Sequence, residues 1–210
     1  MVQVKICGIK TPESLAASCD AGARFIGFVF YQNSARYLHP DQAWELARQI
    51  PTGVRSVGLF VDPSDRDLDL ALGHMPLDML QLHGEETPER VSEIRLRYEM
   101  PIIKALPIQN AQDVEAAHAY EDVADWLLFD TKASAGEYGG TGHSFDWNLL
   151  SGKTFKKPWM LSGGLTAENI AQALSVLKPD VVDVSSGVES TRGVKDPAKI
   201  KAFIEAVKAV

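Results

Sequence analysis

Eight short, mostly apolar runs, separated by segments of helical pattern, constrain this chain more than any other feature. They cover residues 2–7, 25–30, 56–61, 79–82, 102–106, 126–130, 159–161 and 181–184. Several are continuously apolar rather than alternating, as strands covered on both faces should be. Between them apolar side chains recur at spacings of three and four. Ala43, Leu46, Ala47 and Ile50 form one stripe, Ile170, Leu174 and Leu177 another, and Ile200, Phe203, Ile204 and Val207 the last. Thr11-Pro12, Asp62-Pro63, Thr87-Pro88 and Asp196-Pro197 each join a capping residue to a proline that needs no N–H in a first helical turn. Asn110 is expected to cap a helix carrying Val114 and Ala117. Strand–helix units repeated eight times in 210 residues predict one α/β domain over residues 1–210, a closed parallel (β/α)8 barrel. An open doubly wound sheet would place a glycine-rich phosphate loop after its first strand. Here Gly8 is followed by Ile9-Lys10-Thr11-Pro12, with no G-x-G-x-x-G.

The bulk properties exclude several function classes. A net charge of -7 gives no support for nucleic-acid binding, although a local basic pocket for an anion remains compatible with it. Two cysteines, Cys7 and Cys19, are too few for a disulfide framework and suit a reducing cytoplasm. No apolar run is long enough to span a bilayer, and the N-terminus lacks a signal-peptide core. The five histidines are scattered, without metal-ligand spacing, and no cofactor fingerprint appears. The expectation is a cytoplasmic monomer acting on a small molecule without metal or cofactor.

Two glycine turns localise the chemistry. The runs Ser162-Gly163-Gly164 and Ser185-Ser186-Gly187 each follow a short apolar strand, and these strands are the last two of the chain. Glycine lets backbone N–H groups approach an anion closely, and the last two strand ends are where such barrels hold phosphate. Reactive groups are expected at other strand ends. Cys7 closes the first strand, with Lys5 on the same face; it is either a small buried hydrophobe or a base whose pKa the ammonium lowers. Asp130 closes the sixth strand, costly to bury unless paired or used, and otherwise a turn cap. Gln81 and His83 share a face at the end of the fourth strand; the histidine suits an acid, a phosphate contact or a structural hydrogen bond. Arg36 is the guanidinium of the loop after the second strand, suited to an anionic substrate or simply solvated. Residues 133–143 hold four glycines, a composition typical of a functional loop.

Lys5-Ile6-Cys7-Gly8, Gln81-Leu82-His83-Gly84, Phe129-Asp130, Gly139-Gly140-Thr141-Gly142, Phe145-Asp146-Trp147, Ser162-Gly163-Gly164-Leu165 and Asp183-Val184-Ser185-Ser186-Gly187-Val188-Glu189 occur in that order. Together they resemble the phosphoribosylanthranilate isomerases of tryptophan biosynthesis, from Val4 to about Asp196. The sequence departs from that pattern at Lys10, where Thr or a similar residue is expected, and at Ala35, where Pro is expected. The resemblance implies an Amadori rearrangement of N-(5-phosphoribosyl)anthranilate, with Asp130 as acid and Cys7 as base. It also implies that Gly163, Gly164, Ser185 and Ser186 hold the phosphate, Arg36 faces the anthranilate carboxylate, and Gln81 and His83 contact substrate. A histidine-pathway isomerase of the same chemistry is expected to carry Asp in place of Cys7. A non-catalytic phosphometabolite-binding regulator would leave Cys7 and Asp130 without a purpose. Lys5 is expected to pair with Asp183, because the first and last strands of a closed barrel are neighbours.

Overall fold

The computed structural model describes residues 1–132 and 144–210. Eight parallel strands close into a barrel: β1 Gln3–Cys7, β2 Phe25–Val29, β3 Arg55–Phe60, β4 Met79–Leu82, β5 Ile102–Ile108, β6 Trp126–Thr131, β7 Trp159–Leu161 and β8 Val181–Val184. The β1–β8 pairing that closes it sets Lys5 opposite Asp183. Around it lie α1 Pro12–Ala21, α2 Pro40–Ala47, α3 Asp65–His74, α4 Pro88–Tyr98, α5 Ala111–Ala116, α6 Ile170–Val176 and α7 Pro197–Lys208. Among the described residues, the connection from β6 to β7 carries only the 3-10 turn Trp147–Leu149.

The helix starts follow their caps. The side chains of Thr11, Thr87, Asn110 and Asp196 accept N–H groups of the first turns of α1, α4, α5 and α7. Asp62-Pro63 does not start α3, contrary to expectation. Ser64 caps that helix in a reciprocal box with Asp67. Asp62, at a left-handed φ of 45°, instead accepts the Glu85 N–H while its own N–H donates to Glu86. It fastens the loop after β3 to the loop after β4.

Side-chain alternation sorts the strands into two environments. Outward residues such as Ile6, Ile26, Phe28, Leu127 and Val182 join the helix-facing core. Inward residues Phe25, Val57, Met79, Leu128, Met160 and Val181 pack together as an apolar floor. Positions two and four residues beyond that floor, toward the strand C-termini, build the pocket.

Candidate active site

The pocket wall follows from this count. Two residues beyond the floor stand Leu59, Asp130, Ser162 and Asp183; four beyond stand Val29, Val61, His83 and Ser185. Cys7 joins them from β1, and Tyr31, Ser34 and Arg36 from the loop after β2. The side over β2 and β3 is apolar, and the remaining wall is polar and ionisable.

At its base, Lys5 Nζ lies 2.8 Å from Asp183 Oδ1, both side chains buried. This is the pairing expected from barrel closure. Burial opposes the Lys5 charge, but Asp183 and Cys7 beside it hold its pKa above the ordinary lysine value. The expected low thiol pKa of Cys7 needs correcting. Burial pushes the thiol up, Lys5 pulls it down, Asp183 pushes it up again and Lys195 draws it down; the balance leaves it raised. Burial outweighs the ammonium.

Asp130 accepts the N–H of Thr131 on Oδ1, and its Oδ2 lies 3.2 Å from His83 Nε2. His83 Nδ1 is 2.8 Å from the Gln81 side-chain amide. Gln81 is fully buried and absent from the pocket wall, contrary to the expectation of a substrate contact; His83 lines the pocket with Gln81 behind it.

The two glycine turns pack directly on each other. A Cβ on Gly187 would overlap the Leu165 carbonyl oxygen, so only glycine permits this approach. Gly163 and Gly164 adopt φ of 91° and 62°, and their N–H groups have no partner among the described residues. Unpartnered N–H groups at strand ends suit an anion. The Ser185 hydroxyl donates to Cys7 O and receives Lys195 Nζ, so its side chain is committed within the protein. Ser186 opens the 3-10 turn Ser186–Val188.

Arg36 is buried, and its Nε and Nη2 donate to the two carboxylate oxygens of Glu189 at 2.8 and 2.9 Å. Lys195 Nζ donates to Glu189 Oε1 at 2.9 Å and to the Ser185 carbonyl. Glu189 entered the sequence reading only as the end of the Ser185–Glu189 run, without a role, and Lys195 did not enter it. They flank a two-strand hairpin, Glu189–Thr191 with Val194–Lys195, which no hydrophobic period marks. Ser162 was read only as part of the first glycine turn, and Val29 and Leu59 were missed, although counting two or four residues along each strand from a floor position finds all three. Residues 133–143 with their glycines lie outside the described residues.

A closed eight-stranded α/β barrel whose strand C-termini converge on a pocket with one apolar side and one ionisable wall has the architecture of the (β/α)8-barrel enzymes. Its sequence narrows this further. The family described as N-(5'phosphoribosyl)anthranilate (PRA) isomerase matches residues 4–206. The N-(5'-phosphoribosyl)anthranilate isomerase of Rhodospirillum centenum is 53% identical, covering 100% of this chain and 99% of its own. That of Paracoccus denitrificans is 51% identical over 97% of this chain and 95% of its own. The crystal structure of the Thermotoga maritima phosphoribosyl anthranilate isomerase superposes with a TM-score of 0.90 at 42% identity, covering all of both chains. A phosphoribosyl anthranilate isomerase in complex with reduced 1-(o-carboxyphenylamino)-1-deoxyribulose 5-phosphate gives a TM-score of 0.84 at 37% identity, again over both whole chains. The chain belongs to the N-(5'-phosphoribosyl)anthranilate isomerase family.

Proposed function

We propose that Cys7 and Asp130 carry the acid–base steps of an Amadori rearrangement, converting N-(5-phosphoribosyl)anthranilate to 1-(2-carboxyphenylamino)-1-deoxyribulose 5-phosphate. The reaction itself, an aldose–ketose isomerisation in tryptophan biosynthesis, is that of the family to which the chain belongs. One observation supports the residue roles most. In the order β6-β7-β8-β1, the two glycine-turn strands are flanked by the strand carrying Asp130 and the strand carrying Cys7. A phosphate on Gly163, Gly164 and the backbone of Ser185 and Ser186 puts its sugar between those two groups.

Asp130, protonated, donates to the furanose ring oxygen, and the ring opens to a Schiff base. Cys7 as thiolate removes the proton from the second sugar carbon, and the resulting enolamine tautomerises to the ketone. Acid and base are separate groups in different surroundings, as the two steps require. The anthranilate ring lies on the apolar wall of Val29, Leu59 and Val61, with its carboxylate toward Arg36. His83 stands beside Asp130 and contacts the opened sugar. No atom is lost and no electron leaves the substrate, so the residues named suffice. All of them come from one chain, which suits a monomer built as one catalytic unit over residues 1–210.

The test is kinetic. Cys7→Ala and Asp130→Asn should each lower kcat by about 100- to 10,000-fold, the usual range for a lost acid or base, with circular dichroism unchanged. A kcat near wild type in either variant removes that residue from the mechanism.

A further inference from the structure

Behind Arg36 two buried cations share one carboxylate. Arg36 and Lys195 are cationic, Glu189 is anionic, and all three are buried. Glu189 is saturated: Oε1 receives Arg36 Nε and Lys195 Nζ, while Oε2 receives Arg36 Nη2 and the Gly193 N–H. It is absent from the pocket wall that Arg36 lines. Glu189 takes Nε and Nη2 of the guanidinium, Nη1 has no hydrogen-bond partner among the described residues, and Arg36 lines the pocket. The stem of Arg36 is fixed as well. A Cβ on Gly8 would stand 2.8 Å from Arg36 Cδ, so the stem packs where a side chain on Gly8 would be. The Arg36 N–H is held by Ser34 Oγ at 3.1 Å. An excess buried cation is costly until an anion completes it. A planar fork locked on one edge presents the other at a single angle, the arrangement that recognises a carboxylate.

We propose that Glu189 is a specificity-determining positioning residue: it never touches the ligand, but by clamping Arg36 it makes binding depend on the carboxylate of the N-aryl group. Lys195 supplies the second half of the clamp. Its ammonium ties Glu189 to Ser185, and the Ser185 hydroxyl in turn donates to the carbonyl of Cys7. Carboxylate recognition and the strand end bearing the base are therefore parts of one hydrogen-bonded unit.

This inference rests on the proposed placement of the anthranilate carboxylate at Arg36, and its test separates the two. Two ligands are compared by calorimetry: reduced 1-(o-carboxyphenylamino)-1-deoxyribulose 5-phosphate and its anilino counterpart without the carboxyl group. Glu189→Gln should weaken the first by roughly tenfold or more, the scale of a lost charge-assisted contact. Binding of the second should change by less than about twofold on the same scale. In an Arg36→Met background, Glu189→Gln should have no further effect on the first ligand, as expected when one residue acts through the other. Equal weakening of both ligands, or an undiminished effect without Arg36, overturns the proposal. A measurement on the unsubstituted protein guards against misfolding of the variant. Slow rotation of the Arg36 guanidinium in 15N NMR without ligand is expected, and free averaging overturns the clamp. If wild type binds neither ligand, the reaction assignment falls, while the NMR result still decides the clamp.

Discussion

The proposed role of Cys7 as base requires it to carry a negative charge where little water reaches it. Burial raises its pKa, and Lys5 is the first charge that works against that rise. The thiolate fraction therefore grows with pH, and kcat/KM should climb along an alkaline-shifted limb governed by this thiol. Lys5→Met removes that opposing charge and leaves Asp183 pushing the same way, so the limb moves to still higher pH. The variant also strands a buried carboxylate, which costs about 3–5 kcal/mol of stability; Lys5→Met with Asp183→Asn should recover part of it in urea unfolding. An unchanged limb and unchanged stability would remove Lys5 from the account. Glu189 makes a separate prediction. Burial opposes its charge, but Arg36, Lys195 and the Gly193 N–H hold its pKa down at about 2. A depressed carboxyl contributes stability that is full above the unfolded value near 4.3 and is lost as pH falls through the folded value. Glu189→Gln should flatten the fall of the urea midpoint between those two values, and an equally steep fall counts against the clamp.

Much of this was legible one residue at a time. A thiol and a carboxyl closing apolar strands, and glycines after the last two, are local signals. The Lys5–Asp183 pair needed only barrel closure. Glu189 as the partner of Arg36 was not legible, because the two are separated by 153 positions and meet only after the loops fold. Burial outweighing Lys5 at the thiol was equally hidden, since desolvation depends on packing. Lys10 and Ala35, the two departures from the family pattern, meet in space: Lys10 Nζ donates to Ala35 O at 3.1 Å. This bond holds the residue before Arg36, where the pattern has a proline.

At the scale of elements, strand positions were legible to within two residues at each end because buried parallel strands read as apolar runs. The fifth strand runs on through Pro107 to Ile108, past the expected end at Leu106. Beyond Lys104, β5 pairs with β6 alone, so a proline there need not break a ladder on both sides. The start of α3 was misjudged because Asp-Pro is an equally good loop signal, and only the three-dimensional partners of Asp62 distinguish the two. Ser64→Ala tests the corrected boundary. Loss of that cap should cost about 1 kcal/mol and lower Tm by about 2–4 °C, with kcat unchanged. A Tm equal to wild type would mean Ser64 is not the residue that starts the helix.

At the scale of the molecule, strands that alternate with helices leave one productive end, and the chain order fixes which groups meet there. The last two strands supply the glycine turns, and closure brings the first strand beside the eighth. Cys7 thus comes beside the glycine turns through topology rather than through any nearby sequence. An acidic chain of net charge -7 gathers Lys5, Arg36 and Lys195 around this one pocket, which total charge could not disclose. The most direct test of the account follows anthranilate fluorescence. Phosphoribosylanthranilate generated in situ is mixed with purified protein, and its decay is compared for wild type and Cys7→Ser. Fast decay with wild type and almost none above the uncatalysed rate with the variant is the predicted result. Equal decay with both would contradict the assignment of Cys7 as base, and no catalysed decay with wild type would contradict the assigned reaction.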